Sequence, residues 1–157
     1  MAKTRNELEH AVHAVLRCCN LRCEHQRFVG DYDSYGSKIV PDFVVYAEAW
    51  GASKFLIECR QQLTPGSADQ KTHAIVARAR SANSLPTIIV FCGPYAEGKT
   101  YEFAKDNLGG QFKAAVTFGE FIGLVKEIAK NGGGAPAARS ITANNPDQKT
   151  IWSEYAL

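Results

Sequence analysis

Hydrophobic positions along the chain change period several times, and each change marks an element. Between residues 5 and 19, Leu8, Ala11, Val12, Val15, Leu16 and Cys19 recur at three- and four-residue steps, which predicts a helix with one apolar stripe. Residues 26–30 and 37–46 read as two strands joined hairpin-fashion through the turn-rich segment Asp31, Tyr32, Asp33, Ser34, Tyr35 and Gly36. Residues 54–60 alternate, with Phe55, Ile57 and Cys59 on one face and Leu56, Glu58 and Arg60 on the other. Ser67 followed by Gln70 has the form of a capping box and opens a helix that ends near Asn83. Residues 86–92 form a continuous apolar, β-branched run bounded by Pro86 and by Gly93-Pro94, as expected of a strand buried on both faces at the centre of a sheet. A short helix at 100–107, a short strand at 113–117 and an amphipathic helix at 118–130 carrying Phe121, Leu124, Val125 and Ile128 complete the pattern. The order is αβββαβ followed by α, β and α, an α/β arrangement.

After residue 130 the composition shifts to glycine and polar residues, so the expected organisation is one domain over 1–130 and a Gly-rich linker and tail over 131–157. The tail carries Ile151, Trp152 and Tyr155. A chain of 157 residues with 45% hydrophobic and 22% charged residues is in the range of a single globular core and excludes collagenous or disordered classes. The formal charge of +2 permits nucleic-acid binding without requiring it. The longest apolar runs, 87–92 and 43–47, fall far short of the roughly 20 residues that span a bilayer, so no membrane partner is expected. Lys3, Arg5, Glu7, Glu9, His10 and His13 interrupt the first sixteen residues, which is unlike a secretory signal, so a cytoplasmic location is expected. Five cysteines, two of them adjacent, make a poor disulfide framework and are read as thiols.

The residues most suggestive of chemistry are Pro41-Asp42 and, one strand later, Glu58-Cys59-Arg60. On neighbouring antiparallel strands Asp42 and Glu58 can converge on a hard cation, because Mg²⁺ takes oxygen ligands and is held by one or two carboxylates plus phosphate oxygens and water. Glu58 and Arg60 share a face, so a guanidinium would stand beside that cation where charge develops on a phosphate. Glu58 also sits within Phe55-Leu56-Ile57-Glu58-Cys59, the stretch expected to be most central, where an ionised carboxylate needs a metal or a paired charge. A structural pair with Arg60 is the competing reading.

These residues and the αβββαβ order, over residues 5–93, resemble the PD-(D/E)xK nuclease superfamily, nearest to its restriction-enzyme-type members. The resemblance implies a restriction-endonuclease-like fold with a mixed central sheet and flanking helices. It further implies that Asp42 and Glu58 bind Mg²⁺, with Mn²⁺ as a substitute, and that the Cys59 carbonyl is a further ligand. Arg60 stands where the family has a lysine. Its pKa above about 12 suits it to orienting water or holding a phosphate rather than to general-base catalysis. Lys71, at the start of the second predicted helix, is the reserve lysine, and Glu9 is the acid that the family often supplies from its first helix. The competing readings are a solvated helix lysine and an acid that complements the helix dipole.

Three other groupings carry less. His13, Cys18, Cys19, Cys23 and His25 crowd one segment without zinc-like spacing. Lys71, His73, Arg78 and Arg80 give the second helix a basic exposed side that can contact a nucleic-acid backbone. Gly93 to Thr100 matches G-x₄-G-K-T formally, but Pro94 removes a backbone donor. The expected function is that of an Mg²⁺-dependent DNA endonuclease, a phosphodiester hydrolase. The alternative is a catalytically impaired nuclease-fold module for DNA binding or assembly. If residues 5–130 are taken up by the core, no room is expected for a separate DNA-reading domain, and a homodimer is expected for defined double-strand cleavage.

Overall fold

The computed structural model describes residues 6–30, 36–61, 70–81, 84–94, 96 and 98–131. Helix α1 (Glu7–Cys18) starts with a full capping box in which the Asn6 side chain accepts from the Glu9 backbone and Glu9 returns the bond. Three strands follow, β1 (Cys23–His25), β2 (Phe43–Val45) and β3 (Phe55–Gln61), then α2 (Gln70–Ala79), β4 (Thr87–Cys92), α3 (Lys99–Asp106), β5 (Phe112–Thr117) and α4 (Phe118–Lys130). The strands lie in the order β1-β2-β3-β4-β5. β1, β2 and β3 pair antiparallel, whereas β3, β4 and β5 pair parallel, so the sheet is mixed and changes character at its middle strand. The αβββαβ order predicted from the sequence is the observed one.

The alternation of β3 divides the interior into two layers. Phe55, Ile57 and Cys59 join Ile88, Val90 and the apolar stripes of α1 and α4 on one face of the sheet. On the other face Ile89 and Phe91 of β4 pack with Ile75, Val76 and Ala79 of α2 and Ala104 of α3. Both faces of β4 are therefore covered, which is why its sequence is continuously apolar. β4 lies one strand away from the predicted centre; β3 holds that place.

The hairpin departs most from expectation. Its first strand is Cys23–His25 rather than 26–30, because Gln26 takes φ +50°, outside the extended region, and ends the strand. Among the described residues two backbone bonds join the arms beyond that strand, Gln26 N–H to the Asp42 carbonyl at 3.0 Å and Val29 N–H to the Ile39 carbonyl at 3.3 Å. The second strand is shortened to Phe43–Val45, and of the predicted turn at 31–36 all but Gly36 lies outside the described residues. Helix α2 ends at Ala79, where the Ser84 hydroxyl donates to the Ala79 carbonyl at 3.0 Å and to the Ser81 carbonyl at 2.8 Å. Ser67, Asn83 and the linker and tail after residue 131 lie outside the described residues. All five cysteines are thiols, and among the described residues no helix is long and apolar enough to cross a membrane.

Glu9 ties α1 to the sheet. Its carboxylate is fully buried, with Oε2 accepting from the Asn6 N–H at 2.9 Å and Oε1 lying 3.0 Å from His25 Nε2. The His25 ring in turn packs on Phe43, 5.3 Å between centroids. A buried carboxylate is tolerated only while its oxygens are satisfied. His25→Ala is therefore expected to lower the unfolding free energy by about 1–3 kcal/mol in urea titrations, with His25→Gln recovering part of the loss. Equal stability of His25→Ala and wild type would show that the contact is idle.

Candidate active site

The functional corner arises from a mismatch in strand length. The last β2–β3 pair is Phe43 opposite Ile57, and β3 continues to Gln61 without β2 beside it. Asp42, the residue preceding β2, fills the gap with its side chain. Its Oδ2 accepts the Cys59 N–H at 2.7 Å, and its own N–H donates to Glu58 Oε1 at 3.2 Å. The two acids are thus interlocked through backbone donors rather than merely near each other. In a strand the N–H and C=O of one residue leave on the same side, so the Cys59 carbonyl opens toward the edge at which Asp42 stands.

Glu58 faces the α2 layer, because Ile57 and Cys59 on either side of it face the α1–α4 layer. There its Oε2 accepts from Arg78 of α2 at 2.9 Å, in a pair whose acid is buried and whose guanidinium is mostly covered. Burial pushes the Glu58 carboxyl above its ordinary pKa, and the Asp42 charge adds to the rise, while Arg78 opposes it. Arg60 is half-buried two residues further along the same face; burial lowers its pKa, and Asp42 and Glu58 hold it up. The corner therefore presents two carboxylates, a peptide carbonyl and two guanidinium groups. The oxygen donors among them, two carboxylates and a carbonyl, are of the kind that suits a hard divalent cation completed by water and phosphate oxygens.

Of the residues singled out in the sequence, Asp42, Glu58, Cys59 and Arg60 come together at this corner. Lys71 is exposed on α2, two helical turns before Arg78 on the same side of the helix. Glu9 lies on the α1 side of the sheet, engaged with Asn6 and His25. Arg78 is the residue that sequence reasoning misplaced. The sequence places it on an exposed basic face, and its seven-residue spacing from Lys71 points the same way, yet in the structure it turns inward to Glu58. Two further residues of that face are also engaged, since Arg80 donates to the Asn107 carbonyl at 3.0 Å and His73 stacks on Phe103 at 3.9 Å.

The rival groupings do not assemble. Among the described residues no three His, Cys, Asp or Glu side chains converge on a metal position, so the segment from His13 to His25 forms no metal cluster there. In the loop-like motif, Gly98 caps α3 without a side-chain bond, and Thr100 is buried rather than presented to a nucleotide.

The raised Glu58 pKa has a definite sign for stability. Above its ordinary value of 4.5 the unfolded chain has released this proton while the folded chain retains it, so its contribution falls as pH rises through the higher folded pKa. Metal-free wild type is expected to lose unfolding free energy relative to Glu58→Gln as pH rises from about 4.5, and parallel pH profiles of the two in urea titrations would contradict the electrostatics described. No curated protein and no solved structure matches the chain significantly. A sequence profile described as the PD-(D/E)XK nuclease superfamily domain, however, matches residues 2–107. With two thirds of its length matched and the mixed αβββαβ sheet bringing Pro41-Asp42 against Glu58-Cys59-Arg60, the chain belongs to the PD-(D/E)XK nuclease superfamily.

Proposed function

We propose that this protein is a DNA endonuclease that hydrolyses phosphodiester bonds with Mg²⁺, or Mn²⁺ in its place. The observation that carries the reading is the interlocking of Asp42 and Glu58 at the β2–β3 corner, with two guanidinium groups beside them. Asp42, Glu58 and the Cys59 carbonyl would hold the ion, which when bound supplies Lewis-acid activation of water and neutralises charge at the phosphate. Arg60 would hold a non-bridging phosphate oxygen through its planar fork; it stays protonated and does not act as a base. Lys71, exposed on α2, is assigned to the approaching backbone phosphate. Glu9 is assigned a positioning part through His25 and Phe43, the neighbour of Asp42. A homodimer would bring two such corners to the two strands of a duplex.

Supercoiled plasmid incubated with Mg²⁺ or Mn²⁺ is expected to be nicked or linearised by wild type, and about 100-fold or more slowly by Asp42→Asn. Equal cleavage by the two proteins would overturn the assignment. A second reading, a DNA-binding or assembly module without turnover, draws on Arg60 in the lysine position and on Arg78 engaging Glu58. Under that reading wild type binds duplex without cutting it, whereas Arg60→Lys gains cleavage.

A further inference from the structure

The pair between Glu58 and Arg78 has an unusual position. Glu58 is one of the two acids assigned to the metal, yet one of its oxygens accepts from the Asp42 backbone and the other from Arg78. A carboxylate has lone pairs to spare, so geometry alone does not prevent sharing. Charge does. A divalent ion seated between Asp42 and Glu58 would stand within a few ångströms of a guanidinium in a largely desolvated site, where like charges repel strongly. Arg78 also has somewhere to go. It borders a cavity of about 320 Å³ whose walls include Lys54, Ser84, Leu56, Ile39 and Val29. Lys54 makes that cavity a place where a second cation already stands, so an anion entering it would meet Lys54 and Arg78 together.

We infer that Arg78 is an exchangeable counter-cation, which holds Glu58 while the metal is away and, once the metal takes Glu58, binds a backbone phosphate of the nucleic acid at the cavity it shares with Lys54. The inference rests on the proposed metal site and adds an order to its use. Metal and nucleic acid then bind cooperatively through one side chain, because the ion that expels Arg78 from Glu58 makes it available to the phosphate. Arg78 thus positions Glu58 in one state and touches substrate in the other.

Calorimetric titration with Ca²⁺, used as a hard-cation probe, separates the possibilities. Arg78→Gln is expected to bind the ion about five- to fiftyfold more tightly than wild type, because the competing charge is gone, while Arg78→Lys stays near wild type. Binding of a short duplex is then followed against salt concentration. With saturating Ca²⁺ the slope of log K against log salt is expected to fall by about 0.9 in Arg78→Gln, the loss of one phosphate contact, with no change in the absence of Ca²⁺. A purely structural Arg78 would leave the slope unchanged in both conditions. Should Arg78→Gln fail to fold, ¹⁵N spectra of the arginine side chains of wild type serve instead, with the Arg78 guanidinium signal expected to shift on adding Ca²⁺. Unchanged or weaker ion binding by folded Arg78→Gln, or an Arg78 signal indifferent to Ca²⁺, overturns the exchange. Ion binding that survives Asp42→Asn undiminished overturns the metal site itself, whereas binding that needs Asp42 but ignores Arg78 overturns only this inference.

Discussion

An acid on the middle strand is the constraint around which this fold is arranged. Glu58 lies in the third of five strands, almost fully buried, between residues that belong to the main apolar cluster. Nothing in the hydrophobic effect places a carboxylate there, and an isolated charge at such depth is prohibitively unfavourable. The chain meets the requirement from two directions. β2 stops short so that Asp42 can offer its N–H, and α2 crosses the opposite layer at a height that brings Arg78 onto the remaining oxygen. The short second strand and the inward-facing arginine are therefore two answers to one electrostatic problem.

The same arrangement is costly in the metal-free protein. Asp42 and Glu58 repel each other, and burial already disfavours the ionised form of Glu58, while a single arginine provides the main compensation. Breaking a buried pair by removing one partner generally costs more than the pair contributes over an apolar replacement. Such a corner makes little sense as a device for stability. Under the proposed function it would be a preorganised site whose electrostatic cost a ligand of the right charge offsets, as is common where function requires acids to converge. The contrast with Glu9 is instructive. That carboxylate is equally buried, but a backbone N–H and a histidine from β1 engage it, so it behaves as a joint between α1 and β1.

Much of this was legible in the sequence, and the reason differs from element to element. The last helix is legible at its observed limits, because Phe121, Leu124, Val125 and Ile128 keep one period throughout; the structure adds the capping box of Thr117 with Glu120. β3 was legible through its alternation, which also fixed Glu58 and Arg60 on a common face. The first hairpin was not. Its ladder covers only three residues per strand, and its end is set by the left-handed Gln26, a backbone choice that side-chain patterns do not announce. The Asp42–Glu58 convergence was foreseeable from residue types and strand adjacency. Its detailed form, with Glu58 accepting from the Asp42 backbone and Asp42 from that of Cys59, depended on a strand-length mismatch visible only in three dimensions.

Arg78 marks the deeper limit of pattern reading. On a helical wheel it falls with Lys71 on a side that reads as solvated, and an arginine there is by default a surface residue. What turns it inward is not its own helix but the unpaired charge across the layer, since a long side chain will cover apolar surface to bring its guanidinium to a buried carboxylate. The position of a cation is thus set by the acid it must neutralise. Within the superfamily's frame this bears on the residue that replaces the usual lysine. With Arg60 fixed on the strand and Arg78 reaching in from the helix, positive charge approaches Glu58 from two elements, and the lysine's electrostatic part can be shared between them even though neither guanidinium can readily surrender a proton.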